Sequence, residues 1–117
     1  MPSIVYLNGQ FLPKSEAKIS VEDRGFLFGD GVYEVTRAVN GKLFEWKLHA
    51  QRLQKSLKEM RLLPAVTVDE LEKLQLQLLL QNGLSGVDAY VYLEITRGAA
   101  PRSHAFPAGD TPCTIYM

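Results

Sequence analysis

The sequence predicts a small α+β domain in which an antiparallel β-sheet is covered by two amphipathic helices. Two Asn-Gly pairs, Asn8-Gly9 and Asn40-Gly41, lie between short apolar runs, and this dipeptide is a strong signal for a β-hairpin. Over residues 45–61 the apolar residues recur about every 3.6 positions instead of every second position, which is typical of a helix, and a leucine-rich second helix follows over residues 67–81. The length of 117 residues and the 46% share of hydrophobic residues fit one globular domain.

The strands are predicted from short runs of β-branched, aromatic and aliphatic residues that are bounded by turn residues. They span residues 3–7, 10–12, 32–39, 42–44, 88–97 and 113–117. Side chains alternate between the two faces of a strand. The third strand therefore carries Tyr33, Val35 and Arg37 on one face, and Glu34 belongs to the opposite face.

A glycine-rich segment precedes the third strand. Gly25, Gly29 and Gly31 lie within seven residues. Glycine adopts positive φ angles and lets backbone approach backbone closely. We therefore expect a tight segment here, with room for one helical turn over residues 23–28, that leads directly into the strand.

The first amphipathic helix is predicted over residues 45–61. Trp46, Leu53 and Leu57 fall within one narrow sector of the helical wheel, and the lysines of this segment face the other way. Arg52 lies close to the border of the apolar sector. We expect the apolar sector to pack on the sheet.

The second helix is predicted from Thr67 to about Gln81. Thr67 and Glu70 have the spacing of a capping box, and Asn82-Gly83 is a plausible C-terminal stop. The leucines of this helix spread widely around the wheel. We therefore expect the helix to be buried on more than one side.

Composition and charge exclude several classes of protein. Thirteen basic and thirteen acidic residues give a net charge of zero, which argues against a nucleic-acid-binding surface. No apolar run approaches the roughly 20 residues of a membrane helix, the N-terminus lacks a signal-peptide pattern, and no Cys/His cluster has the spacing of a zinc site. The single cysteine, Cys113, lies in an apolar run, so we interpret it as a core residue of a cytoplasmic protein.

Three pairs of polar residues have the chemistry of a binding site. They are Tyr33 with Arg37, His49 with Arg52, and Arg102 with His104. Arginine binds a carboxylate or a phosphate through two parallel hydrogen bonds. Taken singly, each pair is more often part of a structural ion pair than of a ligand site, so these residues alone leave both interpretations open.

Four stretches in a fixed order carry a resemblance to a known family. They read Y-L-N-G-Q-F from Tyr6, D-R-G-F-L-F-G-D-G-V-Y-E-V-T-R from Asp23, H-A-Q-R-L from His49 and T-R-G-A-A-P-R-S-H-A-F-P from Thr96. Over nearly its whole length the chain resembles the N-terminal domain of the fold-type IV, or class IV, aminotransferases, which depend on pyridoxal phosphate (PLP). The G-D-G-V-Y-E-V run and the R-x-H pair fit the D-amino-acid aminotransferase branch best.

The resemblance implies a role for each candidate residue. The substrate-binding residues would be Tyr33, Val35, Arg37, Tyr92, Arg102 and His104. Arg102 and His104 would hold the α-carboxylate of the substrate together with Tyr33. Arg52 would bind the phosphate of PLP, and His49 would lie behind it. Because the family forms homodimers, the loop with the R-x-H pair would reach toward the site of the second subunit.

The resemblance also implies a reaction. An amino group would pass from a D-amino acid such as D-alanine to a 2-oxo acid, with the help of a lysine that binds PLP covalently. None of the seven lysines of this chain matches that position. We therefore expect residues 1–117 to be the N-terminal domain of a longer enzyme, to contain no catalytic residue and to be inactive alone.

Three alternatives remain open at this stage. Within the enzymes, the parent protein would be a branched-chain L-amino-acid aminotransferase or an aminodeoxychorismate lyase. Outside the enzymes, the chain would be a non-catalytic interaction domain that uses its leucine-rich helix as a partner surface. Turnover of D-alanine by the full-length protein separates these alternatives from the preferred function.

Overall fold

The computed structural model describes residues 3–117 and confirms the predicted α+β architecture. The strands are β1 (Ile4–Leu7), β2 (Gln10–Pro13), β3 (Gly31–Val39), β4 (Lys42–Leu43), β5 (Ala89–Thr96) and β6 (Thr114–Tyr116). The helices are α1 (Arg24–Phe28), α2 (Trp46–Met60) and α3 (Val68–Gln81), and a short 3-10 turn spans Lys14–Glu16. The strand ends differ from the predicted ends by at most one residue, which is the usual uncertainty at the end of an element.

The strands form one sheet with the order β2-β1-β6-β5-β3-β4, in which every pair is antiparallel. Strand β3 pairs with β5 along almost its whole length, from Gly31 to Ala38. Strand β4 pairs only with Ala38 and Val39. The earlier part of β3 is therefore an open edge of the sheet.

Both Asn-Gly turns have the backbone geometry that the sequence predicts. Asn8 and Gly9 have φ angles of 48° and 93°, and Asn40 and Gly41 have φ angles of 52° and 78°. Two successive positive φ angles define a type I′ turn, whose twist matches that of the flanking strands. These turns fix the register of β1 with β2 and of β3 with β4.

The core lies between one face of the sheet and the helices α2 and α3. Leu53 of α2, Leu71 of α3, and Leu93 and Ile95 of β5 are at most 1% exposed. The opposite face of the sheet carries tyrosines and remains exposed. Between residues 3 and 117, the helices are all too short or too polar to cross a membrane.

The ends of α3 confirm the predicted caps. The hydroxyl of Thr67 accepts a hydrogen bond from the backbone N–H of Glu70, and the Glu70 carboxylate accepts one from the backbone N–H of Thr67. At the other end, the Asn82 side chain accepts from the backbone N–H of Ile4 and donates to its carbonyl oxygen, at 2.9 and 3.0 Å. The amide of Asn82 therefore fastens the end of α3 to β1.

The glycine-rich segment is tight, as predicted. The Oδ1 atom of Asp23 accepts from the backbone N–H of Gly25 at 2.8 Å and thereby caps α1. The Oδ2 atom of Asp23 accepts from the hydroxyl of Thr114 on β6. A Cβ atom at Gly31 would lie only 2.8 Å from the carbonyl oxygen of Ile95, so only glycine lets β3 begin this close to β5.

The loop that joins β5 to β6 leaves the sheet at Gly98. This residue has a φ angle of 92°, and a Cβ atom there would lie 1.9 Å from the carbonyl oxygen of Pro112. The N–H group of Gly98 donates to the hydroxyl of Thr96 at 3.0 Å, and its carbonyl accepts from the backbone N–H of Arg24 at 2.8 Å. Gly98 therefore sets the direction of the loop.

Replacing Gly98 with alanine should destabilise the fold. We expect Gly98→Ala to lower the free energy of unfolding by about 2 kcal/mol or more, because the substitution adds a strained φ angle to a backbone overlap. Gly109→Ala in the same loop is the matched control: no atom lies within 4 Å of its added Cβ, so a change within about 0.5 kcal/mol is expected. Urea unfolding of both variants measures the difference, and equal values would contradict it.

Candidate functional site

A buried carboxylate on β3 binds two side chains of α2. Glu34 is 3% exposed and lies on the helix-facing side of the strand. Arg52 donates from Nε to Oε2 at 2.8 Å and from Nη2 to Oε1 at 2.7 Å. The Nδ1 atom of His49 lies 2.7 Å from Oε1. This bidentate pairing holds the Arg52 guanidinium in one orientation.

The hydrogen bonds of this group determine its protonation. Burial by itself would raise the pKa of Glu34, but hydrogen bonds from Arg52 and His49 outweigh burial and lower that pKa below its ordinary value. The hydrogen bond to Glu34 raises the pKa of Arg52. The carboxylate and the guanidinium are therefore both ionised at neutral pH.

An open groove of about 460 Å³ runs along the free edge of β3 in front of this pair. Its lining residues are Tyr33, Glu34, Val35, Arg52 and Ser56. The Nη1 group of Arg52 takes part in no hydrogen bond within residues 3–117. Together with the hydroxyl of Ser56, one turn further along α2, this group offers hydrogen-bond donors and a positive charge to an anion in the groove.

Two tyrosines extend the groove onto the exposed face of the sheet. The rings of Tyr33 on β3 and Tyr92 on β5 are stacked, with centroids 5.9 Å apart. The hydroxyl of Tyr92 donates to Oε2 of Glu94 at 2.9 Å. Burial and this hydrogen bond raise the pKa of Tyr92 to about 12, so its hydroxyl remains protonated and acts as a donor at neutral pH.

Arg37 lies further along the same face of β3 and has a different partner. Its Nη2 atom donates to Oδ2 of Asp88 at 2.6 Å, and both side chains are at least half exposed. Arg37 does not line the groove beside Tyr33 and Val35. Its role as a substrate residue, which the resemblance implies, remains a prediction.

Arg102 and His104 lie on the exposed loop after Gly98 and share one aromatic neighbour. The guanidinium carbon of Arg102 lies 5.5 Å from the centroid of the Phe28 ring, and the His104 ring centroid also lies 5.5 Å from it. Neither side chain lines the groove of Tyr33 and Arg52. The structure therefore forms two separate sites, one at the edge of β3 and one on the loop.

A comparison with known families identifies the fold. The family model described as amino-transferase class IV matches residues 31–117. The chain belongs to the class IV aminotransferase family. D-alanine aminotransferase of Staphylococcus epidermidis is 47% identical over 103 residues, which are 88% of this chain and 36% of that protein. D-alanine aminotransferase of Staphylococcus haemolyticus is 45% identical over 111 residues, which are 95% of this chain and 39% of that protein.

The structural comparison agrees with this family. The crystal structure of the branched-chain amino acid aminotransferase of Escherichia coli superposes with a TM-score of 0.89 and 23% identity, over 99% of this chain and 38% of that one. At 23% identity, this similarity shows that the two proteins share a fold. The class IV chain described here thus spans between a third and two fifths of the length of the relatives that it matches.

The donor set of this class IV chain fits the phosphate group of PLP. The free Nη1 group of Arg52 and the hydroxyl of Ser56 suit a dianion, and the negative charge of Glu34 is already paired. None of the seven lysines lines the groove, so the groove offers donors to an anion but no amine for a covalent bond to a cofactor. Within residues 3–117, no group of histidine, cysteine and carboxylate side chains is arranged to hold a metal ion.

Two sets of charged residues in this class IV chain have no role predicted from the sequence. Glu34 is assigned only to a face of β3, although a charged residue at an inward-facing position of a strand indicates a buried partner. The cluster of Asp30 with Arg24 and Arg97, in which all three residues are less than 9% exposed, is not predicted, and Asp30 and Arg97 are separated by 67 positions. Such a separation leaves no local pattern in the sequence.

The Glu34 ion pair predicts a pH dependence of stability. Because the pKa of Glu34 in the folded chain lies below its ordinary value of 4.5, the pair contributes stability above that pH and loses it as the pH falls through the folded pKa. Glu34→Gln should therefore cost about 1–3 kcal/mol at pH 7 and progressively less below pH 4.5.

Urea unfolding between pH 3 and pH 7, roughly the range over which carboxylates titrate, measures this difference. The control is Glu72→Gln, which changes an exposed carboxylate of α3. We expect it to leave the unfolding free energy within about 0.5 kcal/mol of the wild-type value at each pH. A cost of Glu34→Gln that does not change with pH would contradict the paired, ionised carboxylate.

Proposed function

We propose that the protein to which this chain belongs is a PLP-dependent transaminase that moves an amino group from a D-amino acid such as D-alanine to a 2-oxo acid. The relatives with 43–47% identity over most of the chain support this activity, because they are named D-alanine aminotransferases. The branched-chain aminotransferases resemble the chain in fold at 22–26% identity. This similarity of fold does not favour branched-chain amino acids as the substrates of the proposed enzyme.

The observation that carries the proposal is the orientation of Arg52 by the buried carboxylate of Glu34. In the proposed enzyme, Arg52 and Ser56 hold the phosphate of PLP at the edge of β3. Glu34 accepts two hydrogen bonds from Arg52. The guanidinium is therefore already oriented before the phosphate binds, and binding costs it little further rotational freedom. When bound, PLP supplies an electron sink for the carbon that bears the amino group.

The remaining site residues recognise the substrate in this proposal. Arg102 and His104 bind the α-carboxylate with the hydroxyl of Tyr33, because a guanidinium and an imidazole together match the two oxygens of a carboxylate. Val35, Arg37 and Tyr92 line the exposed face of β3 and β5 beside this position. The exposure of the loop supports an arrangement in a homodimer, in which Arg102 and His104 act at the site of the second subunit.

In this proposal the chain is one domain of a longer protein. Residues 1–117 form its N-terminal domain, and the lysine that binds PLP belongs to another part of the protein. The chain is therefore inactive alone. We place the protein in the cytoplasm, because the single cysteine of these 117 residues, Cys113, is a partly buried free thiol whose pKa is raised by burial.

Turnover of D-alanine tests the proposed function. The full-length protein with PLP and a 2-oxo acid acceptor should use D-alanine with a kcat/KM that exceeds the value for L-leucine by about 100-fold or more, because binding at the carboxylate and at Cα selects one enantiomer. Chromatographic detection of the new amino acid and of the 2-oxo acid formed from each donor, which is pyruvate for D-alanine, measures both reactions. The matched control is the 117-residue chain with PLP, for which we expect no turnover. Turnover of L-leucine or aminodeoxychorismate but not D-alanine would refute the D-amino-acid assignment.

A further inference from the structure

A second buried ion cluster lies beneath the loop after Gly98, outside the groove at the edge of β3. The Oδ2 atom of Asp30 accepts hydrogen bonds from Nε of Arg24 at 2.8 Å and from Nε of Arg97 at 2.7 Å. All three residues are less than 9% exposed. They join the turn before β3, helix α1 and the end of β5.

The cluster contains one more positive charge than negative charge. Two guanidinium groups share one carboxylate, so their remaining N–H groups need other acceptors. The Nη2 atom of Arg97 donates to the carbonyl oxygen of Met60 at 2.8 Å, at the C-terminal end of α2 where a cation is favourable. The Nη1 atom of Arg24 donates to the carbonyl oxygen of Ser103 at 2.6 Å.

The acceptor of Arg24 lies between the two candidate carboxylate ligands of the loop. Ser103 is flanked by Arg102 and His104, and both of these side chains lie against the ring of Phe28. Arg24 also lies over this ring, at 4.7 Å from its centroid. Two side chains of α1 thus hold three consecutive residues of a loop segment that is otherwise exposed.

The contact with Ser103 is not needed to neutralise the carboxylate. Arg97 already pairs with Asp30, and Arg24 pairs with it through Nε alone. A lysine could provide the same charge beside Asp30, but its single ammonium group lacks the fork that lets arginine bind the carboxylate and the loop carbonyl at once. The Nη1 group of Arg24 therefore holds the loop in place at Ser103.

We propose that Arg24 is a positioning residue that orients Arg102 and His104 toward the carboxylate of the substrate, with Phe28 as the surface on which their side chains rest. This inference rests on the proposed function of the loop. Arg24 acts on the backbone at Ser103 and does not itself touch the substrate. Its loss should therefore weaken binding of carboxylates and leave the phosphate site at Arg52 and Ser56 unchanged.

The test uses the full-length protein loaded with PLP. Arg24→Lys keeps a positive charge beside Asp30, and Phe28→Leu keeps every hydrogen bond of Arg24. For both variants we expect the KM for D-alanine and the inhibition constant of propionate, a carboxylate without the amino group, to rise about tenfold or more. The dissociation constant of PLP should stay within about twofold of the wild-type value. Lys55→Met, which removes an exposed positive charge from α2, is the control and should change none of these values.

Each outcome decides the inference. Weaker propionate binding with unchanged PLP binding supports the positioning role, because general destabilisation would weaken both. Unchanged propionate binding, or a parallel loss of propionate and PLP binding, overturns it. If Arg24→Lys does not fold, Phe28→Leu decides by the same criteria. An inactive wild-type protein would contradict both the proposed function and the inference, whereas an active wild type with unaltered variants would contradict the positioning role alone.

Discussion

Two carboxylates, buried just before β3 and in its middle, impose the constraint on which the rest of the structure depends. A carboxylate that is removed from water must be paired, because an unpaired buried charge is strongly unfavourable. Glu34 is paired by two side chains of α2, and Asp30 by one arginine of α1 and one at the end of β5. The positions of the helices and of the cations are therefore set together.

Strand β3 connects the core to the proposed site because its side chains alternate. Inward-facing residues bind α2, whereas Tyr33 and Val35 are 64% and 41% exposed on the other face. A shift of register by one residue would bring Glu34 to the surface and bury Tyr33. The long pairing with β5 and the glycine at position 31 prevent such a shift. The register of β3 that buries Glu34 in the fold is thus the same register that exposes Tyr33 and Val35 at the groove.

The sequence predicted the parts of the fold that depend on local chemistry. The Asn-Gly turns, the capping box of Thr67 and the alternation along β3 each involve residues that are close in the chain. The ion pairs could not be predicted in the same way, because they depend on how the helices pack on the sheet. Glu34 and Arg52 are 18 positions apart in the sequence, and Arg37 and Asp88, which also form an ion pair, are 51 positions apart. The inward position of Glu34 was the one signal in the sequence that a cation must lie nearby.

We predict that Glu34 aids the binding of PLP although both carry negative charge. In the full-length protein, Glu34→Gln should raise the dissociation constant of PLP about tenfold or more and leave that of pyridoxal, which lacks the phosphate, within about twofold. Titration of both ligands by fluorescence measures this difference. If Glu34 did not orient Arg52, removing its charge would instead strengthen the attraction of the phosphate, so tighter PLP binding by Glu34→Gln would contradict the orienting role of Glu34.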